Sequence, residues 1–197
     1  MQLDHLAISA ADLEEGVAWA EARLGVPMGP GGKHAHFGTH NRLLGLGAGL
    51  YLEVIAPDPS AESHGPRWFG LDNPPDSPRL GNWICRVPDL DAALADFPEC
   101  GVAVDLARDA LRWRISVPGD GRLPLDAALP TLLQWQVDSP PGDSLPESGV
   151  RFAGLTITHP QAAALSWRIS VPGVVYQQGD QPGLSARFHT PRGEVTL

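Results

Sequence analysis

The chain has 197 residues, 43% of them hydrophobic and 19% charged, and a net charge of −9. That length can bury a substantial core without a partner, and no apolar run approaches the ~20 residues of a membrane span. With Lys and Arg scattered singly through an acidic chain, the basic surface that phosphate binding requires is missing, so small molecules or proteins rather than nucleic acid are the expected partners.

The opening, MQLDHLAISAADLEEG, has neither the basic start nor the continuous apolar stretch of a signal peptide, and a cytoplasmic location is expected. Within it LDHLAIS (3–9) alternates as a strand. Asp12 then caps a helix, with Glu15 completing a capping box and Leu13, Val17, Ala20 and Leu24 on one stripe, until Gly25 and Pro27 end it. A turn-rich stretch with Gly and His leads to the strands NRLLGLG and LYLEVIAP. Residues 1–57 thus read as one strand-helix-strand unit. Residues 58–79, rich in Pro, Asp and Ser, read as a linker.

A second unit, 80–140, repeats the order. LGNWICRV is a strand, and DLDAALADF is a helix with Leu90, Ala93, Leu94 and Phe97 on one face; LRWRISVPG and LPTLLQWQV are strands. A third, shorter repeat spans 150–197, with FAGLTIT, LSWRISVPG, LSARFHT and GEVTL as its strands, all three belonging to one globular domain. ALRWRISVPG (110–119) and ALSWRISVPG (164–173) differ at one position, which implies duplicated strands in equivalent places with Trp113 and Trp167 both in the core. Cys85 and Cys100 have no C-x-x-C spacing and read as buried thiols.

Superposing the first strands pairs His5 with Asn82 and Gly154, and superposing the last pairs Glu53 with Gln134 and Glu194. In LYLEVIAP, Leu52 and Val54 oppose Tyr51, Glu53 and Ile55; in TLLQWQV, Leu133 and Trp135 oppose Gln134 and Gln136. Helices cover one face, so the polar set lines a cleft on the other. A buried carboxylate without a partner costs several kcal/mol, so Glu53 must meet a cation, a metal or several donors. His and Glu from different strands suit a divalent metal, with Gln adding a neutral oxygen. A plain His–Glu hydrogen bond between strands is the other reading.

His34, His36, His40 and Asn41 lie in a loop beside the cleft mouth, either reaching ligand or forming a turn. Arg114 and Arg168 either aim guanidinium forks at an anion or face solvent. No phosphate loop, nucleophile elbow or HExxH is present.

The tandem modules, with His in LDHLAIS, Glu in YLEVIAP and the intervening GTHN loop, resemble the vicinal oxygen chelate superfamily, in particular its glyoxalase-like domain proteins. The resemblance implies an α+β fold in which βαβββ modules form a curved, mostly antiparallel sheet around a central cleft, with helices outside. It implies a divalent metal (Ni, Zn, Mn or Fe) on His5, Glu53 and Gln134, and no nucleotide cofactor. Glu53, His34 and His36 would move protons, and Asn41, Tyr51, Asn82, Gln136 and Arg114 would contact substrate. Asn82 is a poor ligand and departs from the family pattern.

Three functions stay open: a metal-dependent lyase or isomerase acting on vicinal oxygens, a metal-free protein that binds or sequesters a small molecule, and an assembly role in which the third repeat supplies a homodimer surface.

Overall fold

The computed structural model describes all 197 residues. Strand β1 (Gln2–Ser9) leads into α1 (Leu13–Leu24), where the Asp12 side chain accepts from the Glu15 amide and Gly25, at φ 73°, ends the helix in the left-handed region. The short β2 (Lys33–His34), β3 (Thr39–Gly47) and β4 (Leu50–Pro57) complete the first unit. The second runs β5 (Arg79–Arg86), α2 (Leu90–Asp96), β6 (Val102–Arg108), β7 (Leu111–Val117) and β8 (Thr131–Trp135). These eight strands form one sheet in the order β2-β3-β4-β1-β5-β8-β7-β6, antiparallel at the β1/β5 seam and parallel where β1 meets β4 and β5 meets β8. Its two edge strands are joined directly, because Arg108 at the end of β6 hydrogen-bonds His34 of β2. A sheet whose edges touch is curled almost closed around its inner face.

The seam carries two bulges at matching places. Asp4 is the extra residue of β1, between Leu3 paired with Cys85 and His5 paired with Ile84; Gly81 is the extra residue of β5, between Asn82 paired with Ala7 and Leu80 paired with Ile8. A bulge re-aims side chains that strict alternation would place oppositely. A Cβ at Gly81 would sit 2.3 Å from Ser9 Oγ, which is why glycine stands there.

The outer face packs Leu6, Leu52, Val54 and Trp83 under Val17 and Leu24 of α1. The inner face holds Ile55, Ile84, Ile115 and Leu133 with Phe37, Trp68 and Phe69. The last three stack in sequence, at centroid separations of 4.4 and 4.8 Å. Trp68 and Phe69 belong to the segment read from sequence as a linker. Beyond joining the two units, it folds into the concave face and fills much of it.

After the short α3 (Pro141–Ser144), residues from Arg151 build a separate sheet, β10-β9-β11-β12, from β9 (Arg151–His159), β10 (Val174–Gln178), β11 (Gly183–Thr190) and β12 (Gly193–Thr196), with α4 (Ala162–Arg168) between β9 and β10. Here β10 lies parallel beside β9, the place that β4 takes beside β1. This sheet packs Leu155, Ile157 and Phe188 into the outer core and contributes nothing to the inner face. Glu194, a spare carboxylate in the aligned repeats, is therefore outside the cleft, half exposed beside Arg187 and His189.

The duplicated decapeptide does not form duplicated strands. ALRWR belongs to β7, following a tight turn at Asp109 (φ 52°), whereas ALSWR forms most of α4, started by the preceding Pro160-Gln-Ala-Ala. Neighbours, rather than the shared letters, decide the backbone. Trp113 is 6% exposed and Trp167 91% exposed, so only the first is buried. Cys85 and Cys100 are both buried free thiols. Truncating Trp113 to Ala is predicted to cost about 3–5 kcal/mol, and Trp167→Ala to stay within about 0.5 kcal/mol of the parent, in urea unfolding. Equal losses would contradict the two environments.

Candidate functional site

Where the curled sheet narrows, His5, His34, Asn41, Tyr51, Glu53 and Arg108 line a small cavity of about 40 Å³. Aromatic side chains, among them Trp68, Phe69, Trp113 and Trp135, wall it. The polar groups form one continuous chain of contacts.

At its base is Asp4, fully buried on the bulge of β1. Burial alone would raise its pKa, but hydrogen bonding from His5, the charges of His5 and Arg86, and the indole N–H of Trp135 outweigh this and hold it lowered, as a carboxylate. His5 Nδ1 donates to Asp4 Oδ1 at 2.7 Å, Arg86 Nε lies 2.9 Å from Oδ2, and Trp135 Nε1 donates to Oδ2 at 2.9 Å. With its Nδ1 proton committed to Asp4, His5 turns Nε2 toward Glu53 Oε2, 3.7 Å away. Its ring stacks on Tyr51 at 4.3 Å. Burial, then the nearby Asp4 and Glu53, push the Tyr51 hydroxyl well above its usual pKa, so it stays protonated.

Glu53 accepts from Asn41 Nδ2 at 2.5 Å. The orientation of that amide is fixed from its other end, since Asn41 Oδ1 accepts from the Gly32 amide at 2.7 Å. The neighbouring Gly31 lies so close that any Cβ there would meet the Asn41 carbonyl oxygen at 1.9 Å. Asn41 Nδ2 also lies 3.5 Å from His34 Nε2, and Arg108 Nη1 lies 3.3 Å from the same atom. Both neighbours only donate, so Nε2 must accept, and the proton sits on Nδ1 beside Thr39 Oγ1, 3.1 Å away. Trp68 Nε1 donates to the same hydroxyl oxygen. Burial first, then the Arg108 charge, drive the His34 pKa down to about 3.

Five of the residues expected at the site from sequence therefore meet here: His5, Glu53, His34, Asn41 and Tyr51. Four others lie elsewhere. Gln134 accepts from the Leu90 amide and donates to the Pro88 carbonyl, capping α2 on the outer face. The cleft-facing residues of β8 are Leu133 and Trp135, one step away from the alignment that paired Gln134 with Glu53. Arg114 also faces outward, to Asp91 and Asp105. Gln136 is exposed beyond the end of β8, and His36 is exposed against the edge of Phe37. Asn82 does lie over the inner face but is sealed, donating to Thr131 Oγ1 and accepting from the Trp83 amide. Register makes Thr131 the counterpart of Glu53, because Ala7 pairs with Glu53 and Ile84 with Thr131. Arg108, Asp4 and the Trp68–Phe69 pair were not foreseen; only the Asp-His adjacency in LDHLA hinted at one of them.

A family model for the glyoxalase-like domain matches residues 3–171. The chain belongs to the glyoxalase-like domain family. No curated protein matches it significantly in sequence. Among solved structures, methylmalonyl-CoA epimerase from Mycobacterium tuberculosis is similar at 23% identity and a TM-score of 0.43, covering 68% of this chain and 85% of its own. A Streptomyces coelicolor methylmalonyl-CoA epimerase bound to 2-nitronate-propionyl-CoA gives 18% identity and 0.45 over 71% of this chain and 97% of its own. A hypothetical protein from Bacillus halodurans gives 14% and 0.42 over 70% and 95%.

The donors of this glyoxalase-like domain do not fit the divalent metal that the resemblance read from the sequence implies. Catalytic metal sites need about three converging protein ligands, and here only His5 Nε2 and Glu53 converge. Nowhere in the chain do three His, Cys, Asp or Glu residues cluster suitably. Asn41 shows Glu53 its N–H rather than its oxygen, and Asn82 spends its oxygen on the Trp83 amide and its N–H on Thr131.

His34 makes stability pH-dependent with a defined sign. Its folded pKa of about 3 lies below the ~6.5 of an unfolded histidine, so on acidification the unfolded chain takes up the proton first. The contribution is intact above about pH 6.5 and falls by ~1.4 kcal/mol per pH unit towards pH 3. Urea midpoints of the parent minus those of His34→Gln should therefore decline along that limb. A flat difference would show that His34 protonates while folded.

Proposed function

We propose that this glyoxalase-like protein binds a small organic molecule in the inner cavity and does so without a resident divalent metal. The observation that carries this reading is that the residues at the ligand positions on β5 and β8 are Asn82, whose oxygen is taken by the Trp83 amide, and Thr131, whose hydroxyl accepts from Asn82, while His5 and Glu53 keep free valence toward an aromatic-walled space. The aromatic walls supply area and the polar chain supplies orientation, the usual division of labour in small-ligand sites. His5→Gln or Glu53→Gln should weaken ligand binding by about tenfold while leaving the fold intact, since each removes one hydrogen bond to the ligand. Dialysis against Ni, Zn, Mn and Fe should leave under about a tenth of an equivalent bound and no rise in melting temperature. Stoichiometric metal with a raised melting temperature, lost in His5→Gln, would overturn the metal-free reading and restore the lyase or isomerase one.

Turnover by proton transfer is a second reading, favoured by one feature. Asp4 accepts from His5 Nδ1 and so holds the ring with Nε2 toward the cavity beside Glu53, the placement a general base needs. In such a reaction His5 Nε2 or Glu53 takes a proton from an acidic C–H or O–H of the ligand. The protonated imidazole is then held between Asp4 and Glu53. Solvent deuterium incorporation into a bound carbon acid, abolished by both His5→Gln and Glu53→Gln, is the expected outcome; exchange at the uncatalysed rate would leave binding alone.

A further inference from the structure

Arg108 differs from the other half-buried arginines in facing the cavity without a carboxylate partner. Arg67, Arg86 and Arg114 each hold a carboxylate of this chain and Arg42 donates to the Gly29 carbonyl outside the cavity, whereas Arg108 lines the cavity, forms no salt bridge and spends one N–H on His34 Nε2. A guanidinium has five donors in a fixed fork, which matches a carboxylate in bidentate fashion. Its direction is set from two sides. Its tip packs against Gly32, where a Cβ would lie 2.4 Å from Nη1, and the bond to His34 pins that tip to β2. The imidazole is neutral by the donor count already given, so the positive charge beside it belongs to Arg108.

Glu53 lines the same cavity and brings the reverse charge, with the Asp4 carboxylate behind His5. A ligand that meets both residues is therefore anionic toward Arg108 and a hydrogen-bond donor toward Glu53, and a second negative charge would meet Glu53. The apolar walls between them, with Leu111 and Trp113, leave about 40 Å³, room for only a few non-hydrogen atoms.

We propose that Arg108 is the anion-recognition residue of the cavity and that the ligand class is the small hydroxy-monocarboxylates, with the carboxylate on Arg108 and the hydroxyl on Glu53 or His5. The proposal rests on the cavity being a ligand site, and adds the chemical class and the residue that selects it.

Calorimetry with glycolate, lactate and 3-hydroxybutyrate, each against its amide, tests it. In the parent, each acid should bind about tenfold or more tightly than its amide, and malate, a dianion, more weakly than lactate. In Arg108→Gln the acid-to-amide preference should fall to about twofold or less with amide affinity retained; Arg108→Lys should keep part of it. A merely structural tie between β2 and β6 would weaken acid and amide alike and leave their ratio unchanged. Equal binding of acid and amide by the parent, or a preference that survives Arg108→Gln, overturns the carboxylate assignment while leaving the cavity a ligand site. Binding of neither acids nor amides overturns both.

Discussion

The Asp4 carboxylate is the constraint around which the rest is arranged. Buried without compensation, it would cost several kcal/mol, so it demands partners, and it takes them from three strands: His5 beside it on β1, Arg86 on β5 and Trp135 on β8. Those contacts cross the seam between the two units, so the charge that needs neutralising also fixes how the halves of the sheet meet. The bulge makes this possible. Without the extra residue at position 4, Asp4 and His5 would point to opposite faces, and the imidazole would have no carboxylate to settle its tautomer.

From there the polar chain runs His5, Glu53, Asn41, His34, Arg108, and ends on the opposite edge of the sheet. Each member restricts the next: the Gly32 amide orients Asn41, Asn41 and Arg108 together leave His34 Nε2 only an acceptor role, and His34 Nδ1–H donates to Thr39 Oγ1. One network thus closes the sheet and gives the cavity one group of each charge, Glu53 from β4 and Arg108 from β6. The corresponding positions of the second unit are neutral and already hydrogen-bonded. The pseudo-symmetric scaffold is therefore asymmetric, with the polar chain contributed by the first unit apart from Arg108 of β6, and the aromatic wall largely by the second unit and the segment between them.

Much of the scaffold was legible in the letters because it depends on local rules. Asp12 and Gly25 bound α1 as capping chemistry requires, and alternation in LYLEVIAP put Glu53 and Tyr51 on the inner face. His5 was singled out by superposing the first strands, and His34 and Asn41 by their place in the loop before β4, and all three line the cavity. What failed depended on register and partners. A one-residue slip in matching TLLQWQV to YLEVIA turned Gln134 inward on paper, although its side chain caps α2. Asp4 was hidden because a bulge breaks the alternation used to read strands. Arg108 and Trp68 lie far from His34 in sequence, and only curvature brings them to it. The Pro-rich segment 58–79 looked like a spacer by composition, while its two aromatics occupy the concave face.

The shared decapeptide bears on how the chain reaches this state. Two segments, 110–119 and 164–173, carry nearly the same apolar pattern, yet one is a strand between β6 and β8 and the other begins as a helix on the far sheet. The two copies carry nearly the same apolar alternation, so pattern alone does not tell them apart. The short turn at Asp109 does, because it ties the first copy to β6 over two residues and leaves little loop entropy to lose in closing that hairpin. At this strand, chain connectivity rather than side-chain identity selects the partner.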